Sequence, residues 1–227
     1  MDDEMDTARG ESLSLGELPR SQLGIDAATM LRQHIVDGQL PPGTRLVERE
    51  VASLLRVSRT PVRDALSLLA RERLVQASAR GFAVSELSQR EVEEIYPLIA
   101  ALERVAVERV PGIKDAWLDR LERANGRFEA AGGDPTLLIE TDIVWHAELV
   151  NESQNRSLLE MLANLKTRAE RYERSFFVSS EGHSQSVEQH RQIRLALASG
   201  DLARAARLVE SHWLESMRPV WSAVQES

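Results

Sequence analysis

The chain has 227 residues, no cysteine, five histidines and a formal net charge of −8 at pH 7. Without cysteine, disulfides and thiolate metal sites are excluded, so a metal would need histidine and carboxylate ligands. The acidic opening Met1–Asp6 is unlike a secretory leader, and no run approaches the ~20 apolar residues of a membrane span, so a cytoplasmic protein with no membrane partner is expected.

Aromatic residues make up 4% of the chain, which leaves Leu, Val and Ala to fill the core and favours helices. The charge is unevenly placed. Residues 1–23 carry two arginines and six acids, residues 24–88 carry nine arginines and seven acids, and the remainder is acidic. Only the middle segment is basic, and a basic cluster is what a polyanion partner needs.

In chain order, residues 1–23 read as a disordered acidic tail. From Ile25, with Ala28, Leu31 and Ile35 at helical spacing, a helix runs to Gly38, ahead of Pro41-Pro42-Gly43. An extended piece, Thr44–Val47, leads to a second helix with Val51, Leu54 and Leu55 on one face. Ser58 is placed to cap a third helix, with Pro61 in its first turn and Val62, Ala65, Leu66 and Leu69 on its buried face. Leu74-Val75 and Phe82-Ala83-Val84 read as strands joined across Ser78-Ala79-Arg80-Gly81. Helix, strand, helix, helix, hairpin is the order of a winged helix-turn-helix, assigned to residues 24–86.

Ser88-Gln89-Arg90-Glu91 has the form of a capping box and opens a second domain, residues 87–227. Helices are expected over 89–109, 114–131, 135–151, 155–178, 185–199 and 201–224, with a loop at Ser179–Ser184. Six antiparallel helices with short loops make a bundle. The fold class is mostly α: a winged helix-turn-helix followed by an antiparallel helical bundle.

In a helix-turn-helix the first residues of the second helix reach base edges in the major groove. Here these are Arg59, Thr60 and Arg63. Arg59 and Arg63 share a face, and arginine pairs with guanine O6 and N7. Arg49 can grip the backbone or a base, and Arg45 with Arg80 and Gly81 at the wing tip can follow the adjacent phosphates or minor groove. The bland alternative is a solvated arginine face making surface ion pairs.

The histidines divide in two groups. His34 and His183 suggest surface or packing roles. Asp142 and His146 stand at i, i+4 on one helix face. His190 lies ten residues before Gly200 and His212 twelve after it. If the last two helices are antiparallel, both histidines sit roughly 15–18 Å from that turn and can meet in the core. Three His and one Asp suit Zn²⁺, Ni²⁺, Mn²⁺ or Fe²⁺. A purely structural metal and a metalloenzyme using this set are the rival readings; the second lacks an evident general base, since Glu148 should point away from the ligand face.

Pro42-Gly43-x-x-Leu46-x-Glu48-x-x-Val51-Ala52 followed by Val57-Ser58-Arg59-Thr60-Pro61-Val62-Arg63-Asp64-Ala65-Leu66 resembles the signature of GntR-family regulators. The Arg80-Gly81 wing resembles theirs as well. The resemblance implies homodimers on palindromic operator DNA, with Arg49, Arg59, Thr60, Arg63, Arg80 and Gly81 as contacts. Val47 departs from the pattern and is a poor N-cap. Asp142-x-x-x-His146 with Asn155, Glu188-Gln189-His190 through Gly200-Asp201, and His212 are similar to the FCD effector domain of the FadR-type branch, in a short, six-helix form. That resemblance implies Asp142, His146, His190 and His212 as metal ligands, an organic-acid effector beside the metal, and a regulator, commonly a repressor, rather than an enzyme. Tyr96-x-x-Ile99-x-x-Leu102-Glu103 departs from "Y-x-x-R-x-x-L-E": Ile99 stands where relatives have an arginine facing the effector. Arg168, Arg171 and Asn155 are the substitutes considered for effector contact, with Arg174 beside them.

Overall fold

The computed structural model describes residues 22–79, 81–176 and 180–226. The first helix, α1 (Gln22–Val36), takes in the last two residues assigned to the tail and buries Ala27, Ala28, Leu31 and Ile35. The rest of the tail lies outside the described residues. After α1 come β1 (Arg45–Leu46), α2 (Glu48–Leu55), α3 (Arg59–Arg71), β2 (Val75–Ser78) and β3 (Gly81–Val84). The three strands form an antiparallel sheet in the order β1-β3-β2. This is the winged helix-turn-helix, closed over one apolar core that includes Leu31, Val51, Leu66, Leu69 and Val84.

Two local expectations differ from the structure. Leu54, expected on one face with Val51 and Leu55, is 81% exposed, whereas Val51 and Ala52 are buried and Leu55 packs partly against the core. Ser58 occupies the N-cap of α3 in extended conformation, yet its side chain makes no capping bond. At Val47 the poor cap is real: no side chain caps α2, and the Val47 carbonyl accepts from the Glu50 and Val51 amides instead.

The second domain holds α4 (Gln89–Glu108), α5 (Asp115–Ala130), α6 (Pro135–Asn151), α7 (Arg156–Ser175), α8 (Ser180–Ala198) and α9 (Leu202–Glu226). Ser88 Oγ accepts from the Glu91 amide, so half of the capping box forms. The other half is diverted. The Ser88 amide donates to the Tyr172 hydroxyl, and the Glu91 carboxylate takes Arg168 and Tyr172. Asp134 caps α6 through its side chain, with Pro135 in the first turn where its missing donor costs nothing. Gly200 turns the chain between α8 and α9 at φ 78°, a left-handed conformation that favours glycine.

The expected loop Ser179–Ser184 is a correction. Ser179 lies outside the described residues, but Ser180–Ser184 belong to α8, although Gly182 costs about 1 kcal/mol in a helix. His183 of that turn bonds the Phe128 carbonyl at 2.9 Å and meets the Phe128 ring edge-on.

α4 and α9 run side by side through the bundle, tied by Arg104–Glu210 at one end and by Gln89 bonded to the Trp221 carbonyl at the other, hence antiparallel. α7 faces both domains. Among the described residues no helix is long and apolar enough to cross a membrane.

Candidate functional site

On the winged domain, Arg49, Arg59, Thr60 and Arg63 are exposed at the starts of α2 and α3, and Arg45 is exposed on β1. They are held apart from the core by Val62, Ala65 and Leu66, which bury the opposite side of α3. Glu48, which sequence reasoning quoted without giving it a role, organises this face. Arg63 Nε and Nη2 donate to its two oxygens, each at 2.9 Å, and Arg59 Nη2 donates at 3.2 Å. These hydrogen bonds hold the Glu48 carboxyl below its usual range. Gly81 has a structural reason to be glycine. Its φ is 118°, and a Cβ there would stand 3.1 Å from the Leu46 carbonyl oxygen of the neighbouring strand. Arg80 lies outside the described residues.

The centre of the bundle brings together the four residues expected as ligands. His146 on α6, His190 on α8 and His212 on α9 place one nitrogen each within 4.8 Å of one another. All three rings are buried. His146 Nε2 and His212 Nε2 are 3.2 Å apart. Asp142, one turn before His146, puts its carboxylate oxygens 3.5 Å from His190 Nε2 and 3.7 Å from His146 Nε2.

The opposite nitrogen of each ring is occupied. His146 Nδ1 donates to Glu103 Oε2 at 2.8 Å, His190 Nδ1 to Asn125 Oδ1 at 3.2 Å, and His212 Nδ1 to Gln189 Oε1 at 2.7 Å. Bonds of this kind fix the tautomer and turn the Nε2 lone pairs inward, as the outer shell of a metal centre does. Two lone pairs then face each other at 3.2 Å, and His190 Nε2 is buried without a hydrogen-bond partner among the described residues. A cation at their focus satisfies all three nitrogens, so the residues fit a metal ion. Burial also pushes His190 well down and His212 to about 3, which keeps these rings neutral and ligand-ready.

Glu103 was noted in the sequence only as part of a motif. It is wholly buried, accepts from His146 and from Trp213 Nε1, and is ion-paired with Lys166. The hydrogen bond from His146 and the charge and hydrogen bond of Lys166 overcome desolvation and hold its carboxyl far below the ordinary range. The signal was available: Glu103 falls one helical repeat after Tyr96 and Ile99, a charge on an apolar face. Trp145 stacks flat on His190, with ring centroids 3.6 Å apart.

A cavity of about 210 Å³ opens beside the cluster, lined in part by Tyr96, Asp142, Glu173 and His212. Burial, aided by the nearby carboxylates of Asp142 and Glu170, pushes Glu173 up to about 8.

The three residues considered for effector contact lie elsewhere. Arg168 pairs with Glu91, Arg171 donates to the Ser85 carbonyl of the linker at 2.5 Å, and Asn155 caps α7. Arg174 pairs with Glu170 and lies 3.7 Å from Asp37 just after α1. The helical pattern of α7 gives their spacing but not which neighbour each side covers. Ile99 is wholly buried, and Glu148 pairs with Arg120, away from the histidines.

Two family models match the chain: bacterial regulatory proteins of the gntR family over residues 24–84, and the FCD domain over residues 94–215. The chain is similar to YdhC of Bacillus subtilis, an uncharacterized HTH-type transcriptional regulator, with 35% identity over 60% of this chain and 62% of that protein. The match thus spans about three fifths of that relative's length. The HTH-type transcriptional repressor GlaR of Escherichia coli K12 is 28% identical over 84% of this chain and 92% of its own. A solved structure of a GntR transcriptional regulator from Rhodococcus sp. RHA1 superposes with a TM-score of 0.73 at 25% identity, over 88% of this chain and 97% of that one.

Proposed function

Given that this chain is a transcriptional regulator of the GntR family carrying an FCD domain, and not an enzyme, we propose that it is a cytoplasmic repressor. In this reading it binds a palindromic operator as a homodimer, and a small metabolite bound beside a divalent metal ion in the helical domain controls it. The observation that carries the control half is the convergence of three histidine Nε2 atoms whose Nδ1 atoms are each held by an acceptor. Asp142 is the fourth ligand. The ion is Zn²⁺, Ni²⁺, Mn²⁺ or Fe²⁺, the ions that imidazole and carboxylate suit. When bound, it supplies a Lewis-acidic centre that an oxygen of the effector can meet.

The repressor reading is supported by relatives so named, GlaR among them. DNA contact belongs to Arg49, Arg59, Thr60 and Arg63, with Arg45 and the Arg80–Gly81 wing beside them. Dimerisation is supported by an apolar stripe on α4, where Leu98, Ala101 and Val105 are exposed at helical spacing. Leu214, exposed on the adjacent α9 one turn past Glu210, extends it.

α7 is suited to link effector and DNA. It contributes Lys166, which pairs with the Glu103 that holds His146, and Glu173, which lines the cavity. It also contributes Asn164, Arg171 and Arg174, which reach the Glu72 carbonyl, the Ser85 carbonyl and Asp37. A ligand shifts the placement of the winged domains only through unequal affinity for two arrangements. Both recognition helices must fit half-sites about one DNA turn apart, so small shifts alter operator affinity.

The test is selection of bound duplexes by the full chain, followed by metal analysis and a ligand screen on the same preparation. Recovery of a palindrome, about one metal ion per chain and a ligand that changes operator affinity support the reading. Sequence-independent binding, or a metal-free preparation that cannot be loaded, overturns it.

A further inference from the structure

We propose that the effector carries a protonated amine as well as the group that meets the metal, and that Glu173 receives that amine. This rests on the reading of the cavity as the effector site. Its walls include three carboxylates, Asp142, Glu173 and Glu215, and neither lysine nor arginine lines it among the described residues. The cations that could have filled that place are engaged. Lys166 pairs with Glu103, Arg168 with Glu91, and Arg174 with Glu170. On α4, three residues after the cavity-lining Tyr96, Ile99 is buried and uncharged.

The three carboxylates are not equivalent. Asp142 faces the histidine nitrogens and belongs to the metal. Glu215 accepts from Gln185, Gln189 and Ser211, so its oxygens are satisfied by neutral donors. Glu173 has one hydrogen bond, from the Tyr96 hydroxyl at 3.4 Å, and no ion pair among the described residues. A carboxylate offers roughly four acceptor positions, so most of its capacity is open toward the cavity.

The aromatic surroundings agree. Tyr96, Phe128 and Trp213 line the same cavity, and an aromatic ring face, beside a carboxylate, suits an ammonium group rather than a second anion. The cavity also reaches the metal site: His212 and Asp142, two of the four expected ligands, are on its wall, so a ligand held there can meet the ion. A dicarboxylate long enough to cross from the metal would bring its second charge against Glu173. Burial and the neighbouring carboxylates hold the Glu173 carboxyl up to about 8 in the absence of a cation; an organic acid ending in an amine supplies the opposite charge that favours its ionised form.

The test uses the full chain loaded with Zn²⁺. Isothermal titration compares ω-amino acids from glycine to 6-aminohexanoate with dicarboxylates of the same length. At the length that spans the cavity, the amino acid is expected to bind roughly ten-fold or more tightly than its dicarboxylate partner, the scale of placing like against opposite charge. Glu173→Gln should abolish that preference while metal content stays at the wild-type level. The proposal is overturned if no ω-amino acid outbinds its dicarboxylate, or if Glu173→Gln keeps the preference. Operator affinity measured on the same samples separates the two readings. A ligand that binds with the expected preference but leaves operator affinity unchanged supports the amine site and removes the effector role.

Discussion

Glu48 grips Arg63 through both carboxylate oxygens, at 2.9 Å each, and reaches Arg59 with one of them. Arg63 is 60% exposed, so this ion pair contributes little to stability; exposed pairs are typically worth ~0.2–1 kcal/mol. Its consequence is positional. The carboxylate fixes two flexible arginines on the DNA-facing side of α3, and it also sets a negative charge near the approaching phosphates. Glu48→Gln should therefore lower affinity for the specific operator several-fold and raise affinity for unrelated duplex. Titrating both DNAs by fluorescence anisotropy reads the ratio, and an unchanged ratio removes Glu48 from any role in recognition.

Arg63 and Arg49 should behave differently from each other. Arg63 sits on the recognition helix, whereas Arg49, at the start of α2, is exposed with no ion pair or hydrogen bond among the described residues. Arg63→Ala should cost about 1–3 kcal/mol at the operator and relax specificity at one base pair. Arg49→Ala should weaken all duplexes alike and flatten the salt dependence by about one counterion. A binding series from low to moderate salt on both variants checks this. Equal salt slopes for Arg49→Ala and the wild type would show that Arg49 meets no phosphate.

Metal removal should destabilise the helical domain. A ligand present at 100 times its Kd contributes about 2.7 kcal/mol, so chelation should lower the melting temperature by several degrees. His190→Ala and His212→Ala should abolish stoichiometric metal. Gln189→Ala and Asn125→Ala remove acceptors from His212 and His190 while leaving the ligating nitrogens in place. They should weaken the metal by roughly 10–100-fold, the usual effect of losing an outer-shell partner. If chelation lowers stability but leaves the response to ligand intact, the metal is a brace and the effector site lies elsewhere.

The histidine cluster was legible because helix geometry and one turn determine it. Gly200 reverses the chain, and the spacing of His190 and His212 from that turn places them level; their ring centroids are 5.0 Å apart. The i, i+4 pair Asp142–His146 needed no tertiary information either. Glu103 and Lys166 were not found, since their partnership spans two helices whose mutual register no local pattern specifies. For the same reason the sequence puts Arg168 and Arg171 at the effector, whereas Arg168 pairs with Glu91 of α4 and Arg171 bonds the linker at Ser85. Periodicity identifies a covered face, and α7 has two neighbours to cover. The Ser180 start of α8 was missed because Gly182 is a local breaker, overruled here by His183 packing on Phe128.

That bracing makes α7 a testable connection. Arg171 is buried, and its bond to the Ser85 carbonyl joins the bundle to the strand end of the wing. Replacing Arg171 and Arg174 together by alanine should leave metal content and the intrinsic operator contacts unaltered. The change in operator affinity on adding or removing metal should shrink. A response as large as in the wild type would exclude α7 as the route between the domains.

The buried titratable groups predict the acid sensitivity of the metal-free chain. His190 and His212 are depressed by burial, whereas in the unfolded chain they take protons near the ordinary histidine value of about 6.5. Below that pH the unfolded state binds more protons, and stability falls. Glu103, also depressed, adds to the loss once the pH drops through the carboxylate range. Glu173, raised to about 8, acts with the opposite sign: the folded state takes its proton first, so stability rises as the pH falls from about 8. One raised carboxyl dominates above pH ~6.5 and two depressed histidines below it, where each net proton is worth about 1.4 kcal/mol per pH unit. The melting temperature in chelator should therefore pass through a maximum near neutral pH and decline toward pH 5. Glu173→Gln should remove the rise on the alkaline side and keep the acid-side decline; a profile flat from pH 8 to pH 5 would contradict both assignments.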